Sequence, residues 1–352
     1  MVNFKFKSVL VTGAAGFIGS NFVIRLLNKH PNLKLISLDK LTYAGSLKNI
    51  EPVLNHPNYP NHVFIQGDIA DQDLIYKLLR EYEINTIVHF AAESHVDNSI
   101  LGPEVFLKTN IFGTFNLLEQ ARIYWLEEKK WNNTEIKTRC RFHHVSTDEV
   151  FGSLGPKDPS FTEKTAYAPN SPYAASKASS DHWVRAYCHT YGLPVSLSNC
   201  SNNFGPRQHA EKLIPTVIKA CLEGKNIPVY GDGSNIRDWL FVEDHCEAIE
   251  KILTEGLVGE SYNIGGDCEI SNLELVKKIC DLMDCFNPKG SPHQKLISFV
   301  KDRLGHDWRY AIDGSKIKAE LGWKPDKNFE NNLAKTLQYY LAAMRETQCE
   351  IA

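Results

Sequence analysis

Up to Pro206 the apolar positions alternate between two periods. Nearly continuous apolar runs at 7–12, 33–38, 63–66, 86–90, 142–145 and 195–200 have the length and bounds of buried strands. Between them, residues 17–27, 72–83, 104–130 and 173–191 carry apolar side chains at helical spacing, as Leu74, Ile75, Leu78 and Leu79 illustrate. Strand and helix in alternation predict an α/β fold, a Rossmann-type doubly wound parallel sheet. The polar stretches 56–62, 129–141 and 154–172 read as loops, and the last is long enough to lean over a ligand.

Beyond 207 the rhythm changes. Helical runs at 213–223, 243–254, 272–283, 315–321 and 329–344 are separated by short strands such as 228–230 and 261–264. The chain therefore divides into a dinucleotide-binding domain, 1–206, and a smaller mixed α/β lobe for substrate, 207–352, interleaved with the first.

The first strand runs directly into Gly13-Ala-Ala-Gly16-Phe-Ile-Gly19 and then a helix. In that context the first glycine makes the turn, the second lets backbone approach a pyrophosphate, and the third lets helix pack on strand. The spacing is G-x-x-G-x-x-G, one residue longer than the commoner dinucleotide motif. Asp39 ends the second strand about 20 residues further on, where a carboxylate accepts from a ribose 2′-hydroxyl and repels a 2′-phosphate. NAD is thus favoured over NADP, with Lys40 as the counter-argument. Ala91 and Ala92 follow the fourth strand, and small residues there let a flat ring lie against backbone. His95, close by, is the kind of lone histidine that is more often structural than catalytic.

Composition acts mainly by exclusion. A formal charge of −3 and 23% charged residues give no general basic field for nucleic acid. Nine cysteines are odd in number, scattered, and lack a C-x-x-C pair, so neither a disulfide framework nor a metal site is expected. They fit a reducing cytoplasm, and no apolar run is long enough for a membrane span. Adjacent His143 and His144 point to opposite faces of a strand and cannot share a metal.

Two stretches carry candidate chemistry. Ser146-Thr147-Asp148-Glu149 places two hydroxyls and two carboxylates at a strand's exit. Tyr173 and Lys177 stand four apart at the start of a helix, so the ammonium is expected beneath the phenol, lowering its pKa from about 10 and making it a general base for an alcohol. Alone, Y-x-x-x-K is more often a solvated helix face. Lys212, Arg237, Arg303 and His306 are scattered groups expected to converge on a diphosphate.

With the glycine loop, the acid pair and Y-x-x-x-K in chain order, the sequence resembles the extended short-chain dehydrogenase/reductase superfamily, and within it the dTDP-glucose 4,6-dehydratases. The likeness runs nearly end to end, through V-T-G-A-A-G-F-I-G-S-N-F (11–22), A-A-E-S-H-V-D (91–97), S-T-D-E-V-F-G (146–152), S-P-Y-A-A-S-K (171–177), N-C-S-N-N-F-G-P (199–206) and R-D-W-L-F-V-E-D-H (237–245). The resemblance implies a hydro-lyase with tightly held NAD, serving deoxysugar biosynthesis as a homodimer built from the helices at 104–130 and 173–191. It implies that Tyr173 takes the C4 hydroxyl proton, aided by Thr147 and Lys177, that Glu149 removes the C5 proton, and that Asp148 protonates the departing C6 hydroxyl. It further implies a cofactor site of Gly13, Gly16, Phe17, Ile18, Gly19, Asp39, Lys40, Thr42, Asp68, Ile69, Ala91, Ala92, Thr109, Tyr173, Lys177 and Asn203. Ser94, Thr147, Asn202, Lys212, Leu213, Pro228, Tyr230, Arg237, Asn272, Arg303 and His306 would meet the sugar nucleotide.

Two departures fall in the substrate lobe: Leu304 stands where the family usually has proline, and the proline expected before Glu211 is Ala210. A UDP-glucose 4,6-dehydratase shares the chemistry. A sugar-nucleotide 4-epimerase shares the fold and Y-x-x-x-K but needs no acid pair, and a non-catalytic NAD-sensing protein needs neither.

Overall fold

A computed structural model describes residues 4–131, 133–302 and 305–351. Its centre is a seven-stranded sheet built from β1 (Ser8–Thr12), β2 (Lys34–Asp39), β3 (His62–Gln66), β4 (Thr86–His89), β5 (Arg141–Thr147), β6 (Val195–Cys200) and β10 (Ser261–Ile264). The spatial order is β10-β6-β5-β4-β1-β2-β3, and every pairing is parallel. β1 and β5 are buried along their whole length because helices cover both faces, which is why β1 runs apolar or small without alternating, while β5 buries even Arg141, His143 and His144. On one face Phe22, Val23 and Leu27 pack with Ile249 and Ile252; on the other Leu79, Leu117, Trp125 and Val184 do so.

The second lobe holds β7 (Asn202–Phe204), β9 (Ile236–Phe241) and β11 (Glu269–Ser271) in a small sheet, and β8 (Ile227–Tyr230) paired with β12 (Ile297–Val300). Its own core gathers Phe204, Ile218, Val276 and Leu333.

Four sequence expectations need correction. The helix Val242–Glu255 and β10, which lie beyond residue 207, return to the large sheet, where Tyr262 and Ile264 are fully buried. Position along the chain does not bind an apolar strand to its neighbours; an open sheet edge claims it. The stretch 129–141, expected as linker, contains the helix Asn133–Arg139, anchored by buried Ile136 and Cys140. The expected helix 104–130 is interrupted by two π-helical stretches, Leu107–Gly113 and Ile123–Glu128. Finally, 154–172 is strapped down rather than free: bridges join Leu154 to Arg309 and Phe161 to Ile312, and Phe161 stacks on Phe151 at 5.1 Å.

Candidate active site

The chain order reverses between β1 and β4, and a cleft of about 310 Å³ opens at the carboxyl ends of the strands there. Gly13 sits in the left-handed region at φ +68, and a Cβ on it would lie 2.7 Å from the Ala91 backbone nitrogen. A Cβ on Gly19 would lie 2.1 Å from the Gly13 carbonyl oxygen. Gly16 is the N-cap of the helix Phe17–Lys29. Backbone meets backbone here, so an anion can approach the helix N-terminus without a side chain between.

All the residues expected around the cofactor line this one cleft: Gly13, Gly16, Phe17, Ile18 and Gly19 from the turn, Asp39, Lys40 and Thr42 after β2, Asp68 and Ile69 after β3, Ala91 and Ala92 after β4, and Thr109, Tyr173, Lys177 and Asn203 opposite. Asp39 accepts from the amides of Ala15 (2.9 Å) and Leu41 (2.8 Å), which hold its carboxylate at the strand's end while burial pushes its pKa up. Lys40 pairs with Asp68 at 2.8 Å, so the cation that argued for a 2′-phosphate is already engaged. Asn202 Oδ1 and Gln208 Oε1 are buried without a hydrogen-bond partner on the same cleft wall. A dinucleotide with ribose hydroxyls and an amide satisfies such groups, so the residues present fit NAD.

The chemistry is built across β5 and the following helix. Thr147 ends β5, and Asp148 and Glu149 begin the 3₁₀ turn Asp148–Phe151. The helix Pro172–Tyr191 starts sharply because the Ser171 hydroxyl caps the Ala174 amide (3.1 Å) and Pro172 opens the first turn. That start fixes Tyr173 against the end of β5, with Thr147 hydrogen-bonded to its phenol.

Asp148 is 2% exposed, and burial, the charge of Glu149 and that of Asp238 hold its carboxyl well above the ordinary range. Its neutral form is thereby favoured. Its Oδ1 accepts from the Thr147 hydroxyl at 3.3 Å, while Oδ2 is buried and without a partner. Glu149, half-buried, lines the cleft beside it.

The expected effect of Lys177 on Tyr173 is corrected. Burial, with the Glu149 charge second, pushes the Tyr173 phenol well above 10, and Lys177 is not among the causes. The Lys177 ammonium instead donates to the Val145 carbonyl at 2.8 Å and lies 3.5 Å from His144 Nε2. Spacing of four put both groups on one helix face; the strand beneath supplied a closer acceptor.

Of the residues expected to meet the sugar nucleotide, Ser94, Thr147, Asn202 and Lys212 line the cleft, and Lys212 Nζ donates to the Ser94 carbonyl at 3.2 Å. Leu213 opens the next helix. A second group gathers on the segment 305–310. Arg237 donates to the Asp307 carbonyl (3.0 Å) and lies over the Tyr310 ring (4.4 Å). The Tyr230 ring meets His306 at 6.4 Å, and Pro228 faces the same side of β8. Asn272 joins through its amide to Asn235, whose side chain donates to Asp307 (3.2 Å). The positive charge of Arg237 reaches Asp148 and that of Glu149 reaches Tyr310, so this group borders the acid pair. Arg303 and Leu304 lie outside the described residues.

Glu93, Gln208, His209 and Glu211 also line the cleft and were not anticipated. Glu93 lay inside a quoted motif, and its signal was the buried Asn110, which clamps both the Glu93 amide (2.8 Å) and carbonyl (3.0 Å). His95 is structural in part: its Nδ1 caps the helix Val96–Leu101.

Comparison with known proteins places this geometry in a family. The GDP-mannose 4,6 dehydratase profile matches residues 10–336. A dTDP-glucose 4,6-dehydratase of Xanthomonas campestris is 52% identical over 334 residues, 94% of this chain and 92% of that protein. This chain belongs to the dTDP-glucose 4,6-dehydratase family. Among solved structures, a dTDP-glucose 4,6-dehydratase of Streptomyces venezuelae with NAD bound superposes with a TM-score of 0.84 at 44% identity, covering 95% of this chain and 97% of that one. The UDP-glucose 4-epimerase of Thermotoga maritima shares the fold, with a TM-score of 0.82, but only 26% identity over 96% of this chain and 99% of that one. Fold alone therefore does not separate the dehydratase family from epimerases; sequence identity does.

Proposed function

We propose that this chain, with NAD as resident cofactor, dehydrates dTDP-glucose to dTDP-4-keto-6-deoxyglucose and water, a step of deoxysugar biosynthesis. When bound, NAD takes hydride from C4 and returns it at C6, ending unchanged. The protein moves the protons. Tyr173 accepts the C4 hydroxyl proton; its phenol must be drawn down from the value that burial and Glu149 raise, and Lys177, one helical turn along in the same cleft, is the cation at hand. Thr147 donates to the phenolate as it forms. Glu149 removes the C5 proton, made acidic by the adjacent ketone. Asp148, held neutral by burial and by Glu149, gives its proton to the C6 hydroxyl, which leaves as water.

The observation that carries this is the buried Asp148, whose raised pKa and unpartnered Oδ2 suit an acid, beside Glu149 in the cleft that also holds Tyr173 and Lys177. Oxidation or epimerisation at C4 needs no such pair. The test is to incubate the purified protein with dTDP-glucose and with UDP-glucose and follow loss of water. A pocket reading one methyl is worth about 1 to 3 kcal/mol, so dTDP-glucose is preferred about 10- to 200-fold in kcat/KM, with residual UDP-glucose turnover. Equal or better UDP-glucose turnover would overturn the nucleotide assignment, and unchanged sugar with both would overturn the dehydratase.

The working unit is a homodimer. Supporting it is an apolar stripe shared by two helical segments: Leu107 and Phe112 are 55% and 52% exposed, Trp183 and Tyr191 41% and 47%. Phe115 bridges them, its ring 5.9 Å from Phe112 and 5.6 Å from Trp183. Sedimentation at micromolar concentration should give twice the chain mass of 39.8 kDa. The scattered cysteines favour a cytoplasmic setting. No helix among the described residues is long and apolar enough to cross a membrane.

A further inference from the structure

Behind the reacting groups lies a buried polar cluster that the steps above do not use. Asp181 is fully buried, one helical turn beyond Lys177 on the same helix face. Its Oδ2 accepts three hydrogen bonds, from Ser146 Oγ (2.8 Å), Tyr167 Oη (2.8 Å) and Asn199 Nδ2 (3.3 Å). A single oxygen with three donors is a carboxylate oxygen, and the donors come from β5, the 154–172 strap and β6. The other oxygen, Oδ1, faces His144 Nε2 at 3.2 Å, and that same nitrogen lies 3.5 Å from Lys177 Nζ. One imidazole nitrogen thus stands between the ammonium, from which it accepts, and the carboxylate, whose Oδ1 makes no hydrogen bond of its own.

We propose that Asp181 is a positioning residue of the reaction: it is the buried counter-charge that keeps Lys177 an ammonium and holds it, with His144 and the Val145 carbonyl, at the end of β5, one helical turn from Tyr173. The proposal rests on the dehydratase chemistry above. The groups around Lys177 leave no other candidate for that charge among the described residues. On its own helix it meets Asp181. From β4 and β5 it meets His89 and His144, both kept neutral by burial and by the ammonium itself. From β6 it meets Cys200, a thiol pushed up to about 12 by burial. Asp148 and Glu149, from the 3₁₀ turn, act on Tyr173, and neither is among the charges that act on Lys177. A lysine with no solvent would shed its proton without a counter-charge; burial does lower Lys177, and Asp181 is the largest opposing cause. The strap residue Tyr167, steadied by Arg185 at 3.2 Å, gives the 154–172 segment a part in this, since its hydroxyl favours the ionised form of Asp181 against burial, which pushes that carboxyl up.

The test is the pH profile of kcat in the NAD-loaded enzyme with dTDP-glucose, together with NAD content per chain and thermal midpoint. Asp181→Asn keeps the shape and removes the charge. Its alkaline limb should move to lower pH by about 1 to 2 units, the usual reach of a nearby opposite charge, with KM and NAD content unchanged. Asp181→Ser, which leaves room for water, is the second variant should the amide fold poorly, and its limb should move the same way. Tyr167→Phe removes a hydrogen bond but not the charge; at alkaline pH Asp181 stays ionised, so its limb should stay in place. A limb in Asp181→Asn or Asp181→Ser that superimposes on that of the unsubstituted enzyme overturns the proposal, as does an equal shift in Tyr167→Phe. Absence of turnover in the unsubstituted enzyme would instead sink the dehydratase assignment.

Discussion

The two halves of the cleft are made by different means. On the cofactor side, recognition is mostly backbone: Gly13 meets Ala91 at main-chain distance, Gly19 meets the Gly13 carbonyl, and Asp39 is fixed by two amides. On the substrate side it is mostly side chain. Arg237, Tyr230 and His306 come from separate strands and loops and are brought together on 305–310. A backbone site is specified by a few glycines at fixed spacing and tolerates almost no substitution. A side-chain site disperses its residues along the sequence and loses function by degrees.

Gly13→Ala is the harshest way to sharpen that contrast. Its methyl would meet the Ala91 backbone at a position where φ is +68, so either the turn or β4 must shift. The purified variant should hold no nicotinamide nucleotide and lose about 1 to 3 kcal/mol of stability. Normal NAD content would break the comparison at its stronger end. Asp39→Ala removes one carboxylate and leaves the turn; nucleotide retention should fall by about tenfold, as loss of a charged hydrogen-bond partner predicts. Tyr230→Ala should be milder, raising KM for the sugar nucleotide several-fold with NAD content untouched, because Tyr230 is 38% exposed and its ring meets His306 in its own lobe. Loss of NAD in that variant would show that the halves are not separable.

The smallest effect tests the electrostatics of the acid pair. Asp148 binds a proton more tightly folded than unfolded, so between its ordinary value of 3.8 and its raised folded value the folded chain holds more protons and stability declines as pH rises. Asp148→Asn removes that penalty. Its thermal midpoint should exceed that of the unsubstituted protein by a few degrees at pH 7, and the gain should vanish as pH falls below 3.8. A lower midpoint at pH 7 would mean that Asp148 is ionised.

The same division explains what could be read from the chain. Strand and helix periods, the glycine turn and Asp39 are local signals, and the glycines and Asp39 line one cleft with the residues that the family resemblance added. The acid pair was visible because Asp148 and Glu149 are adjacent. Hidden were features set by contacts distant in sequence. No period marks the π turn that carries Thr109 and Asn110 or the strap made by Phe161 and Ile312. The Val145 carbonyl that takes up Lys177 lies 32 residues away in sequence, so helix spacing alone pointed to Tyr173. Asp181 stood in the predicted helix 173–191, yet nothing in its neighbours showed that three donors and a histidine would close around it.

Exchange of solvent deuterium into C5 tests the account most directly, because it separates oxidation at C4 from the elimination that follows. With Glu149→Gln, Tyr173 and Lys177 are untouched: a 4-keto sugar still bearing its C6 hydroxyl should accumulate, C5 should take up no deuterium, and product formation should fall by about 10² to 10⁴. With Asp148→Asn the base remains, so deuterium should enter C5 while water loss slows. Near-normal formation of 4-keto-6-deoxy product by Glu149→Gln, with deuterium at C5, would contradict the assignment of the two carboxyls and the dehydration mechanism built on them.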